Sequence, residues 1–136
     1  MADAASPILS VAVVTPEGSA FEGTAQSVVV PGYDGEVAFL RGHAPFVGAI
    51  GHGELRVKTP EGETRSWYLE GGVAQVLDDE VTVLADGILP AADVDAAQAQ
   101  KDLAEALASK PTADDEFALR DRKIASAQAR LRIARA

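Results

Sequence analysis

The apolar pattern of this chain changes period once, near Ala85, and that change limits the fold more than any other feature. Up to Ala85 the sequence consists of short, β-branched or alternating runs separated by turn residues. "SVAVVT" (Ser10–Thr15) ends at Pro16-Glu17-Gly18, and "TAQSVVVP" ends at Pro31 before the turn Gly32-Tyr33-Asp34-Gly35. "GEVAFL" alternates, with Val37 and Phe39 on one face and Glu36, Ala38 and Leu40 on the other. "GELRVKT" directs Leu55 and Val57 inward, Thr59–Gly62 is a hairpin turn, and "TRSWYLE" sets Trp67 and Leu69 on one side. "GVAQVL" and "EVTVLA" form a further hairpin through Asp78-Asp79. Short strands at 8–12-residue spacing with turns between them predict an antiparallel sandwich or barrel. No glycine-rich helix start follows a strand, which argues against a doubly wound nucleotide fold.

Beyond Ala85 the residues favour helices. "DGILPAA" reads as a linker. Asp93 is the expected N-cap of a first helix reaching Ser109, with Asp95 in its first turn, where the helix dipole favours a carboxylate. Its apolar stripe is thin: Ala96, Ala99, Leu103, Ala106 and Leu107. "SKPTADD" interrupts the pattern, with Thr112 and Asp115 resembling a capping box. A second helix is predicted from about Ala113 to Arg135, with Phe117, Ile124, Ala127, Leu131 and Ala134 on one face. The division expected is a β domain over residues 1–87 and a two-helix antiparallel hairpin over 88–136. Alanine buries little area, and each missing methylene forfeits about 0.8 kcal/mol. The hairpin should therefore pack weakly on the sandwich and be able to detach.

Charge separates the same two regions. The net charge is −9, which argues against nucleic acid as a partner. Residues 117–136 carry six basic residues (Arg120, Arg122, Lys123, Arg130, Arg132, Arg135) and one acid, Asp121, a local sum of +5 that leaves −14 for residues 1–116. No chemistry-bearing constellation accompanies them. The two histidines, His43 and His52, lie in glycine-rich sequence without metal-ligand spacing. There is no cysteine, no nucleophile elbow and no P-loop around Gly51-x-Gly53. The acidic clusters Asp78-Asp79-Glu80 and Asp114-Asp115-Glu116 fit a hairpin turn and a helix start. Gly71-Gly72, between two strands, suggests a bulge or a close backbone approach. The expectation is a non-enzyme without metal or cofactor, and "FLRGHAPFVGAIGHGEL" (Phe39–Leu55) reads as a shaped docking surface. No apolar run approaches the ~20 residues of a membrane span, and "MADAASPILSV" lacks the marks of a signal peptide, so a soluble cytoplasmic chain is the default.

These residues resemble a known family, the epsilon subunit of bacterial F-type ATP synthases, called delta in mitochondria. The resemblance covers roughly residues 9–136. It is carried by "VVTPEG" (Val13–Gly18), "PGYDGEVAFLRGHAP" (Pro31–Pro45, with Glu36, His43, Ala44 and Pro45 in place), "GEL" (Gly53–Leu55), "YLEGGVAQV" (Tyr68–Val76), "VTVLAD" (Val81–Asp86) and "ARLRIA" (Ala129–Ala134).

The resemblance implies a ten-stranded antiparallel β-sandwich followed by the helical hairpin. It also implies a non-catalytic rotor part of a proton-translocating ATP synthase, peripheral on the cytoplasmic face of the bacterial plasma membrane through the complex alone. Its partners would be the gamma subunit and the c-ring, met by the turn bearing Asp34 and Glu36 and by the neighbouring His43 loop. When the hairpin extends, its partner would be the alpha/beta catalytic head, met by Arg122, Lys123, Arg130, Arg132 and Arg135, with inhibition of ATP hydrolysis. Some members bind ATP through an Ile/Leu-Asp-x-x-Arg-Ala motif. Here the stretch is Val94-Asp95-Ala96-Ala97-Gln98-Ala99: Asp95 is retained, the arginine is Gln98, and Glu105 falls where a cation would be useful. With Asp95 and Arg130 left as a weak ATP-binding pair, ATP binding should be weak or absent. Two alternatives stand beside the rotor reading, an ATP-sensing binding module and a stand-alone β-sandwich adaptor.

Overall fold

The computed structural model describes residues 8–135, without the side chain of Arg135. The first residues of the segment read above as lacking a signal lie outside the described residues. Eight strands run β1 (Leu9–Thr15), β2 (Gly18–Ala25), β3 (Ser27–Gly32), β4 (Gly35–Leu40), β5 (Phe46–Lys58), β6 (Thr64–Leu77), β7 (Glu80–Ala85) and β8 (Ile88–Pro90). A 3-10 turn at Ala91–Asp93 leads to helices α1 (Ala96–Ala108) and α2 (Asp114–Arg135). The fold is a β-sandwich followed by two helices. The strands hydrogen-bond in the order β2-β1-β7-β6-β5-β3-β4, with β8 beside β6. All pairs are antiparallel except β1 with β7, which run parallel.

Eight strands stand among the described residues where ten were expected, because the two longest strands turn from one layer to the next without breaking. In β6, Trp67 and Leu69 are buried in the core, but beyond Gly71-Gly72 the buried positions are Ala74 and Val76. The inward parity therefore shifts by one residue. In β5 the same shift separates Ile50 from Leu55 and Val57. Gly71 and Gly72 absorb the change at φ +106° and +142°, conformations open to glycine and strained for other residues. A Cβ on Gly72 would stand 1.9 Å from the Leu84 carbonyl oxygen, so the close approach read from the sequence is real.

The enclosed core is aliphatic, with Leu9, Val11, Val13, Val28, Val30, Leu55, Val57, Val81 and Val83 packed around Phe39, Ile50 and Trp67. The stretch read as a linker holds β8, whose three residues pair with Trp67–Leu69. The N-cap of α1 is Asp95 rather than Asp93: its Oδ1 accepts from the Gln98 amide at 3.1 Å, while Asp93 closes the 3-10 turn. At the start of α2 the reaching-back carboxylate is Glu116, not Asp115. It accepts from the amides of Thr112 and Ala113 and from the Thr112 hydroxyl, at 2.9–3.0 Å. These bonds favour the charged form and hold the Glu116 carboxyl below its usual range.

The helical stripes are thinner than predicted. Ala99 and Ala106 are buried, but Ala96, Leu107 and Phe117 are exposed. In compensation, α2 buries two residues outside the expected stripe: Ala129 and Ile133 join Ala127 and Leu131. Ala129 and Ile133 pack on Tyr68 of β6, whose side chain leaves the strand opposite to Trp67 and Leu69.

Candidate docking surfaces

The turn between β3 and β4 presents Tyr33, 78% exposed, and Asp34, also exposed. Gly35 follows at φ +124°. Glu36 differs from Asp34. Its two carboxylate oxygens accept from the Arg56 guanidinium at 2.8 and 3.0 Å, a bidentate pair, and Glu54 takes a further Arg56 bond at 3.0 Å. The Arg56 hydrogen bonds hold the Glu36 carboxyl below its ordinary 4.5, and the two carboxylates push the Arg56 pKa up. Of the two carboxylates predicted for this turn, Glu36 is engaged within the molecule, while Asp34 has no ion-pair partner among the described residues.

His43 lies at the other end of β4. Its ring stands edge-on to Phe39 at 5.2 Å and to Phe46 at 6.2 Å. Nδ1 lies 2.7 Å from the Ala44 carbonyl oxygen; a bond there makes Nδ1 the donor and fixes the tautomer. The Gly42 amide donates to Asp79 Oδ1 at 2.7 Å, which ties this loop to the β6–β7 turn. That turn holds Asp78 and Asp79 at φ +50° and +63°, the left-handed pair a tight hairpin requires. Asp34 and His43 are thus not neighbours. Five residue steps of β4 separate their loops by roughly 17 Å at ~3.4 Å per residue.

A surface not anticipated from the sequence adjoins the His43 loop. On the outer face of β5, β6 and β7, Val47 is 72% exposed, and Val73, Leu77 and Leu84 are also open to solvent. Val73 lies opposite Leu84 in the ladder and opposite Ala49 on its other side. A sheet face turned to water usually alternates apolar-in and polar-out. Here "GVAQVL" and "EVTVLA" place Val73, Leu77 and Leu84 outward, and that failure of alternation was the available signal.

On the hairpin, Arg122, Lys123 and Arg132 are exposed and form no ion pair with any described residue. Arg130 is different: its Nη1 donates to Asp102 Oδ2 of α1 at 2.9 Å. Gln98 also donates to Asp102 at 2.8 Å, and these two bonds, Gln98 first, hold the Asp102 carboxyl below its ordinary 3.8. Arg130 borders a cleft of about 940 Å³ between hairpin and sandwich, whose walls mix Glu70, Asp86 and Asp102 with Arg122 and Lys123. Asp95 does not line that cleft; it caps α1. Arg130 instead meets Asp102, seven residues and about 10 Å along α1 from Asp95, so the two candidate ATP ligands are not adjacent. Among the described residues no three His, Asp or Glu side chains stand close enough to hold a metal ion. No helix among them is long and apolar enough to cross a membrane.

Comparison with known proteins decides the family. Residues 8–91 match the model of the ATP synthase delta/epsilon chain β-sandwich domain. The ATP synthase epsilon chain of Rhodopirellula baltica is 38% identical over 123 residues, covering 90% of this chain and 95% of that one. Epsilon chain 1 of Methylococcus capsulatus is 38% identical over 126 residues, with 91% and 90% covered. The chain belongs to the delta/epsilon family of ATP synthase chains. A solved chain of the Euglena gracilis mitochondrial ATP synthase (OSCP/F1/c-ring) superposes with a TM-score of 0.81 at 19% identity, covering 89% of this chain and 78% of that one. One from the Tetrahymena thermophila central stalk and c-ring gives 0.76 at 10% identity, with 93% and 96% covered. Both share the fold. As a family member the chain is a non-catalytic subunit and not itself an enzyme.

Proposed function

We propose that this chain is a central-stalk rotor subunit that passes rotation between a c-ring and a catalytic head, and that its hairpin restrains ATP hydrolysis. The observation that carries the reading is the span of the epsilon-chain likeness, which runs across sandwich and helices alike. The apolar face of Val47, Val73, Leu77 and Leu84 is the surface for the gamma shaft, because exposed apolar patches of this kind mark protein interfaces. His43 braces the loop at its margin. The Asp34 turn, at the far end of β4, faces the polar loops of the c-ring. Arg122, Lys123 and Arg132, with Arg135, form the cationic set that meets acidic segments of the alpha/beta head when the hairpin extends. The coupling ion is the proton, and the chain is peripheral on the cytoplasmic face of the bacterial plasma membrane, held there by the complex.

Binding of ATP by the isolated subunit is weak or absent in this reading. Arg130 already holds Asp102, Asp95 caps α1, and Gln98 supplies no charge. Calorimetric titration yielding micromolar affinity would restore the ATP-sensing alternative. The deciding experiment compares ATPase activity of the reconstituted head and shaft carrying either the full chain or one ending at residue 93. That end point retains β8, which the boundary expected at residue 87 would remove from β6. Both forms should co-purify with gamma, and the shorter one should relieve inhibition. Failure of both to bind gamma would favour the stand-alone adaptor, and unchanged hydrolysis would remove the inhibitory role.

A further inference from the structure

Helix α2 rests across β5 and β6, and one sheet side chain is buried beneath it. Tyr68 is 2% exposed, covered by Ala129 and Ile133 of α2, with Leu89, Ala91 and Val94 around it. Its hydroxyl lies 2.5 Å from Ser126 Oγ. Among the described residues this is the one side-chain hydrogen bond of close geometry between the strands and the two helices; the Arg130 guanidinium lies near enough to act on the same hydroxyl, and no ion pair joins the two regions. None of the residues around Tyr68 belongs to the main core.

The contact does not run the length of α2. Towards the N-terminal part of α2 the cleft opens, with His52, Glu70 and Asp86 on one wall and Glu116, Arg122 and Lys123 on the other. The other close hydrogen bonds of the α2 arginines stay within the hairpin. Arg130 bridges to Asp102, and Arg120 Nε donates to the Ala106 carbonyl at 3.3 Å. The two helices are therefore linked to each other independently of the sandwich.

The geometry points to Tyr68 as a release joint: loss of its contacts to Ser126, Ala129 and Ile133 frees α1 and α2 as one unit and leaves the sandwich core intact. The inference rests on the proposed detachment of the hairpin and names the residue that controls it. Local opening of this kind is read directly by amide hydrogen exchange, because each cooperative unit exchanges with its own opening equilibrium.

The test is exchange on the full-length chain, without partners. Tyr68→Phe removes one oxygen and should speed exchange of the α1 and α2 amides about fivefold, the equivalent of a hydrogen bond worth about 1 kcal/mol. Ser126→Ala, made from the hairpin side, should reproduce that change. Tyr68→Ala should give an increase on the order of a hundredfold. In each case the β5–β7 amides should keep wild-type rates. An equal rise in strands and helices, or unchanged helices in all three variants, overturns the joint. If Tyr68→Ala fails to fold, the two single-oxygen variants decide. Failure of the wild-type chain to co-purify with gamma would overturn the rotor reading while leaving the exchange result standing.

Discussion

The sandwich and the hairpin bury their apolar residues by different means. Among the described residues, seventeen buried ones form the sandwich core, contributed by strands from both ends of the β region, whereas the seam beneath α2 is built on three: Tyr68, Ala129 and Ile133. The sheet folds over at Gly71-Gly72, and its two layers enclose that core between them. The helices, rich in alanine, have only narrow stripes to offer and lean on one face of β5 and β6 beside the β8 region. A core that closes on itself unfolds as a unit. A seam that touches it at one face opens locally, at a free energy well below the global one. The contrast predicts that equivalent truncations in the two regions have effects of different reach.

The largest effect should follow Phe39→Ala, which empties a fully buried ring site. Global stability should fall by about 3–5 kcal/mol. The single tryptophan, Trp67, lies in the same core and reports it by fluorescence in urea titration. Ile133→Ala, in the seam, should leave the Trp67 transition within about 0.5 kcal/mol of wild type while raising helix exchange. If Ile133→Ala moved that transition as far as Phe39→Ala, the two regions would share one core and the comparison would fail.

Gly72→Ala comes next and sharpens the account of how the sheet closes. A backbone held at φ +142° costs a side-chain-bearing residue about 1–3 kcal/mol. The new methyl also meets the Leu84 carbonyl, which is backbone and cannot rotate away. Gly62→Ala is the control. Gly62 sits at φ +93° with nothing within 4 Å of its Cβ position, so it carries the conformational cost alone. The difference between the two midpoints measures the collision. Equal losses would mean the strand relaxes freely at Gly72, and the turn from one layer to the next would then be soft.

Much of this was legible in the sequence, for local reasons. Turn residues and alternation place the strands, and the inward positions of Trp67, Leu69, Leu55 and Val57 follow from period two. The start of α2 falls one residue from its expected place. What escaped depends on partners distant along the chain. β8 is three residues long and is a strand only because β6 lies beside it. Tyr68 reads as an outward residue, and its cover comes from α2, with Ser126 58 residues away. The Arg130–Asp102 pair needs the register of the hairpin, which no pattern supplies. The separation of Asp34 from His43, by contrast, could have been computed from the length of β4 alone. Asp102, Tyr68 and the Val47–Leu84 face are the functional candidates that sequence reasoning passed over.

Alkali should discriminate the seam from the core by a smaller amount. Burial is the main reason the Tyr68 hydroxyl titrates above its ordinary 10.0, with the Glu70 charge adding to it and the Ser126 bond and Arg130 opposing. A group whose pKa is raised on folding contributes its full stabilisation below the unfolded value and loses it as pH climbs through the folded one. Docking of the hairpin should therefore be constant below about pH 10 and weaken above it, because a phenolate buried beneath α2 loses its solvation while the Ser126 hydroxyl can still donate to it. Glu70 and Lys123 also border the cleft, so the informative quantity is the difference between wild type and Tyr68→Phe. A helix-exchange profile with the same alkaline rise in both would assign the effect to other groups.

The smallest expected effect tests whether an ion pair at the sandwich surface matters to the fold at all. Glu36 is held by Arg56 through two bonds, yet its side chain is 54% exposed, and water and salt screen such pairs to about 0.2–1 kcal/mol. Glu36→Gln should reduce stability by no more than that at low ionic strength, and the loss should shrink as salt is added. Because the Glu36 pKa is lowered, its contribution is present above the ordinary 4.5 and disappears as pH falls through the folded value, so wild type and variant should converge in acid. Arg56 would still retain Glu54 at 3.0 Å, which limits the damage further. A loss above about 2 kcal/mol, insensitive to salt, would show that the pair clamps edge strand β4 onto the sheet, and Glu36 would then belong to the structural account of the sandwich and not to its docking surface.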